Sequence, residues 1–146
     1  MKNSIIKTTL FLITLILFSC NKKTVKNTIT VTDKPNRIEV IDFYGTHRCT
    51  TCNDIEANTK YTLETYFSDE LKSGKITFQT INVDKKENEQ IAIEFQAAGT
   101  ALFLNVINNK KATKIELTDF AFKKGSKKEV FSNELKQKIQ EQLEKI

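Results

Sequence analysis

The sequence is poor in the residues that metal and nucleotide sites need. It has one histidine, His47, and three cysteines, Cys20, Cys49 and Cys52. A structural zinc site ordinarily takes four protein ligands, which one histidine and one closely spaced cysteine pair do not supply. Glycine is scarce, at four residues, and no G-x-G-x-x-G segment is present, so the fingerprint of dinucleotide binding is missing. Charge is not concentrated in one sign: 23 Lys and Arg face 18 Asp and Glu, a net +5. No basic stripe interleaves with aromatics, so nucleic acid is not an expected partner. The apolar run from Leu10 to Phe18 is shorter than the ~20 residues that span a bilayer. No internal repeat is found.

What is present is enough for one ordinary domain of globular composition, with 146 residues, 39% of them hydrophobic and 28% charged. At the N-terminus, Met1 to Lys7 forms a basic segment, and the apolar run follows at signal-peptide length, so residues 1–19 read as an export signal. Its removal would take Lys2 and Lys7 with it and lower the positive excess further. Leu17-Phe18-Ser19-Cys20 resembles the bacterial lipobox, which implies lipidation of Cys20. The competing readings are an ordinary cleaved signal that leaves Cys20 a spare thiol, and a short uncleaved anchor helix. More than one acyl chain gives stable anchoring. Residues 20–36 then form the lipidated cysteine and a polar linker that ends near Pro35, the single proline. Thr28 to Thr32 alternates like a short edge strand, a second reading of that stretch. The expected location is the cell envelope, lipid-anchored to a bacterial membrane with the domain facing the periplasm.

Residues 37–146 carry the domain. Ile38 to Tyr44 is a β-branched and aromatic run closed by Gly45, expected as the first strand. Ile55, Thr59, Leu63, Tyr66 and Phe67 recur at helical spacing and predict an amphipathic helix closed by Gly74. Ile76 to Val83 is the next strand, followed by a short helix with Ile91, Ile93 and Phe95. Ala101 to Ile107 is a third strand, Asn108-Asn109 a turn, and Lys114 to Thr118 its antiparallel partner. Phe131, Leu135, Ile139, Leu143 and Ile146 line one stripe of a last helix that should close the core; a membrane-surface or partner-binding helix is the weaker alternative. The alternation points to an α/β fold with a central mixed sheet of about four strands flanked by helices.

Cys49-Thr50-Thr51-Cys52 sits where the first strand gives way to a helix. A bare C-x-x-C is ambiguous between half a zinc site, a redox pair and a staple. Position favours redox chemistry, because free N–H groups and the positive dipole end at a helix start stabilise thiolate, and Arg48 adds a cation. Cys49 is then the exposed nucleophile and Cys52 the resolving thiol. His47 is a candidate proton shuttle or ligand, or simply a solvated loop residue. Asp42 is a candidate buried carboxylate that takes the Cys52 proton, or else a strand residue turned to water.

Val40-Ile41-Asp42-Phe43-Tyr44 before the C-x-x-C, Ile81-Asn82-Val83-Asp84, and Gly99-Thr100-Ala101-Leu102-Phe103-Leu104 resemble successive landmarks of the thioredoxin superfamily. The string from His47 to Cys52 is most similar to the nitrophenyl compound nitroreductase subunit, ArsF-type family. The resemblance implies a thioredoxin-like fold and a redox-active Cys49–Cys52 disulfide with no further cofactor. Three departures stand out. Thr-Thr replaces Gly-Pro between the cysteines, and the segment from Asp42 to Cys49 is one residue longer. Ala101 also stands where thioredoxins carry a cis-proline. A cis bond without proline costs ~2.5–4 kcal/mol, so Ala101 should not keep one. Thr100 and Ala101 can still offer backbone to an extended substrate peptide. They can equally leave room for a soft ion above the two sulfurs.

Two functions follow. One is a membrane-anchored thiol-disulfide oxidoreductase acting on exported proteins with disulfides or on a membrane electron donor, as a monomer. The alternative is a carrier of Cu(I) or As(III) on the Cys49 and Cys52 thiolates. A passive disulfide domain fits an exported chain but not the helix-start position beside Arg48. Cys20→Ser is expected to shift the chain from the membrane to the soluble fraction and to end incorporation of labelled fatty acid, as read by cell fractionation.

Overall fold

The computed structural model describes residues 35–146. The export signal, Cys20, the Thr28 to Thr32 stretch and all but the last two residues of the linker lie outside the described residues.

Strand β1 (Arg37–Tyr44) pairs in parallel with β2 (Ile76–Asn82) and antiparallel with β3 (Ala101–Asn108), which pairs antiparallel with β4 (Lys111–Glu116). The order β2-β1-β3-β4 puts β1 inside a four-stranded mixed sheet. The helices are α1 (Thr50–Tyr66), α2 (Ser68–Ser73), α3 (Glu89–Phe95), α4 (Thr118–Lys124) and α5 (Lys128–Leu143). A four-stranded mixed sheet flanked by helices is the α/β arrangement expected from the sequence.

Helices pack on both faces of β1, and period-two alternation sorts its side chains between two cores. Ile38 and Val40 join Ile55 and Leu63 of α1 and Phe131, Leu135 and Ile139 of α5. Ile41 and Phe43 join Phe95 of α3 and Phe103 of β3 on the other face. There Phe43, Phe95 and Phe103 form a triangle with centroids 5.3–5.8 Å apart. Tilted and edge-on pairs of this kind are favourable aromatic geometries.

Four local expectations are corrected. The helix expected to run to Gly74 breaks at Phe67, whose ring is buried and whose φ of −135° leaves the helical region. Gly74, at φ +74°, closes α2 rather than α1. Tyr66 and Ile93 stay largely exposed, since the core stripes of α1 and α3 run through Ile55, Thr59 and Leu63, and through Phe95. The hairpin turn is Asn109-Lys110, both with positive φ, as the right-handed strand twist favours for a two-residue loop. That turn starts β4 at Lys111, so the segment from Thr118 is free to form α4, where Ala121 is buried. Asn36, placed at the linker's end by sequence, is tied to this turn: its amide donates to Asn108 Oδ1 at 3.0 Å, and its Oδ1 accepts from Asn109 N–H at 2.8 Å.

The end of α4 is set against the first turns of α1. Asn58 Nδ2 donates to the Gly125 carbonyl at 2.7 Å inside the protein. A Cβ at Gly125 would lie 2.8 Å from the Ala121 carbonyl oxygen, 3.0 Å from Ile55 Cγ1 and 3.1 Å from Thr51 Cγ2. Gly125→Ala is expected to cost about 1–3 kcal/mol through overpacking. Urea denaturation checks this, and an unchanged midpoint would show that the two helices separate without cost.

Candidate active site

Beyond Tyr44 the chain leaves β1 through a loop that the neighbouring strand holds in place. Val83 N–H donates to the Tyr44 carbonyl at 2.9 Å, and Thr46 N–H donates to Asp84 Oδ2 at 2.6 Å. The Thr46 backbone bond, and then its hydroxyl, hold the exposed Asp84 carboxyl below its usual value. His47 is exposed, and its charge acts on Asp84 in the same direction.

The loop delivers Cys49 to the N-cap of α1, with φ −78° and ψ 165°, where its Sγ accepts from Cys52 N–H at 3.1 Å. The two cysteines form a disulfide with Cα atoms 5.1 Å apart. Cys49 is exposed and Cys52 is buried at 7%. No acidic residue occupies the first turn of α1, so nothing there opposes negative charge at the cap. Ala101 pairs with Phe43 across β1 and β3, which puts Thr100 and Ala101 at the sheet end from which the dithiol loop departs. No peptide bond among the described residues is cis, so the Thr100–Ala101 bond is trans.

Asp42 lies on the α1 face of β1 and is fully buried, not turned to water. Arg48 does not point outward beside Cys49. Its Nη2 donates to the Cys52 carbonyl at 3.0 Å and reaches Asp42 Oδ2 at 3.5 Å, while Nη1 is bonded to Glu56 Oε2. Its Cζ sits 4.6 Å from the centre of the Tyr44 ring. Asp42, Arg48 and the Cys52 turn are thus brought together, whereas His47 stays apart on the exposed loop. Sequence reasoning missed Glu56 and Tyr44. Glu56 did leave a signal, since it follows Cys52 by one helical turn on the same face.

Asp42 Oδ1 has no hydrogen-bond partner among the described residues. Burial pushes the Asp42 carboxyl from 3.8 up to about 7, against the pull of Arg48 and with a smaller push from Glu56. An acid whose folded value lies above its unfolded one binds its proton more tightly in the folded chain. The stabilisation is complete below 3.8 and is lost as pH rises through about 7. Wild-type protein in its disulfide form is therefore expected to lose on the order of 1–4 kcal/mol between about pH 5 and about pH 8. Asp42→Asn should lose much less. Denaturant titrations at both pH values check this; Asp84, whose shift is downward, acts at lower pH.

No family model matches the chain, and no curated relative matches it. Among solved structures, a malaria-parasite protein described as thioredoxin-2, a component of protein secretion machinery, is 20% identical. It covers 74% of this chain and 85% of its own, with a TM-score of 0.48. Mitochondrial thioredoxin 3 of Saccharomyces cerevisiae, in its oxidized form, is 25% identical over 63% of this chain and 78% of its own, with a TM-score of 0.41. A thioredoxin of Fasciola hepatica is 19% identical over 60% and 76%, with a TM-score of 0.39.

Proposed function

We propose that the chain is a thiol-disulfide oxidoreductase working through Cys49 and Cys52. The observation that carries this reading is a disulfide at the N-terminus of α1, with one sulfur exposed and the other buried, in a turn that Arg48 links to the buried carboxyl of Asp42. A staple would need neither the exposed sulfur nor the buried acid.

In the reducing direction, the Cys49 thiolate attacks one sulfur of a partner disulfide. A bond forms between Cys49 Sγ and that sulfur, and the partner's second sulfur leaves as a thiolate that takes a proton from water. The Cys52 thiol then gives its proton to the Asp42 carboxylate and attacks Cys49 Sγ. The mixed disulfide breaks, the partner's first sulfur departs as a thiolate, and the Cys49–Cys52 disulfide remains. Two electrons pass from the protein dithiol to the partner. The helix start stabilises the attacking thiolate. Arg48, bound to the Cys52 carbonyl, fixes the turn from which the second attack comes. The reverse sequence oxidises a partner dithiol.

The N-terminal sequence pattern supports a lipid-anchored place on a bacterial membrane, facing the periplasm. There the partners are exported proteins with disulfides or a membrane electron donor. The string from His47 to Cys52 supports the finer assignment to the nitrophenyl compound nitroreductase subunit, ArsF-type family. No helix among the described residues is long and apolar enough to cross a membrane. Ala101, small where thioredoxins carry proline, favours a second reading in which the reduced pair holds Cu(I) or As(III).

Cys52→Ser is expected to accumulate mixed disulfides through Cys49 with other exported proteins, and Cys49→Ser to form none. Non-reducing electrophoresis with mass spectrometry reads both, and the absence of adducts in Cys52→Ser would sink the exchange reading. Native mass spectrometry of the reduced protein showing one bound soft ion would favour the second.

A further inference from the structure

One guanidinium serves two carboxylates unequally. Arg48 gives Nη1 to Glu56 in a direct ion pair, while its Nη2 stands 3.5 Å from Asp42, near the limit of one. The buried acid is thus the weaker partner: Asp42 is fully enclosed, whereas the Glu56 side chain keeps 33% of its surface in water. Two further contacts of Arg48 lie away from Asp42, with the Cys52 carbonyl at 3.0 Å and the Tyr44 ring at 4.6 Å from Cζ. Its Nε is buried without a hydrogen-bond partner among the described residues, as expected of a side chain pulled to a compromise position.

A cation seated squarely on a buried carboxylate holds it ionised. An ionised Asp42 permanently paired with Arg48 would be a poor acceptor for the Cys52 proton. We infer that Glu56 is a positioning residue that holds the Arg48 guanidinium off Asp42, leaving the buried carboxyl free to take up and release the proton of Cys52. The inference deepens the exchange reading and rests on it for the identity of the proton donor. It is consistent with the electrostatic balance at Asp42, where burial outweighs Arg48 and Glu56 pushes in the same direction as burial. The charged groups acting on Asp42 are Arg48 from the loop and Glu56 from α1. Thr80 of β2 and Leu102 of β3, its neighbours in register, carry no charge, nor do Phe131 and Leu135 of α5 across the same core.

The test is Glu56→Gln, which keeps the length and an acceptor oxygen but removes the charge, with Glu56→Ala as a second variant should the first fold poorly. The protonated-carboxyl infrared band of Asp42, assigned by its loss in Asp42→Asn, is titrated in the full-length disulfide form. Its midpoint is expected to fall by about one unit or more in the Glu56 variants, as Arg48 closes on Asp42. A midpoint that stays or rises in folded variants overturns the inference, whatever the exchange activity. In the reduced form, release of thionitrobenzoate from its mixed disulfide with Cys49 reports attack by Cys52. The inflection in its pH profile should move down by the same amount in Glu56→Gln and vanish in Asp42→Asn. An inflection that survives in Asp42→Asn overturns both this inference and the proton step above. Failure of thionitrobenzoate release at every pH, with the infrared shift intact, overturns only the exchange reading.

Discussion

Everything near the dithiol is organised around one unfavourable act, the enclosure of the Asp42 carboxyl on an interior strand. Burying an ionised carboxylate without a close partner is expensive, and a chain responds by neutralising the group or by bringing a cation to it. Here the two responses coexist. The guanidinium of Arg48 comes close but is shared with Glu56, and the carboxyl keeps its proton into the neutral range. The same guanidinium holds the Cys52 carbonyl, so the charge balance under α1 and the geometry of its first turn are set by one side chain.

Much of this was legible in the sequence because it followed from strict periodicities. The β-branched and aromatic run from Ile38 to Tyr44, closed by Gly45, marked β1, while the face taken by Asp42 stayed open between core and water. The strand-to-helix position of Cys49 was readable from the run of apolar residues on either side. What escaped notice depended on side-chain reach or on tertiary competition. Arg48 is adjacent to Cys49 in sequence, yet its long side chain turns beneath the helix to three acceptors, a choice local pattern does not encode. Phe67 continues the helical stripe on paper, but burying its ring requires the backbone to break there. Ile93 looks apolar enough for a core position and lies on the outer side of α3 because Phe95 takes the inner one.

The short α4 shows a further limit. Thr118 reads as the end of a strand by composition, yet its hydroxyl accepts from Leu102 N–H at 3.3 Å, and the chain turns into a helix whose far end meets α1 at Thr51 and Ile55. A segment with no motif of its own thus buttresses the helix that carries the cysteines. Contacts of this kind arise from the packing of distant elements and leave no spacing to read.

The tie between Asn36 and the β3–β4 turn has a mechanical meaning. Strand β1 spans eight residues, so this tie and the dithiol loop stand at opposite poles of the sheet, about 25 Å apart at ~3.3 Å per residue. Any load carried by the chain ahead of Pro35 enters at the Asn36 pole and is shared with a second strand through the amide clasp. The cysteine loop lies at the far end of β1, away from where that load enters.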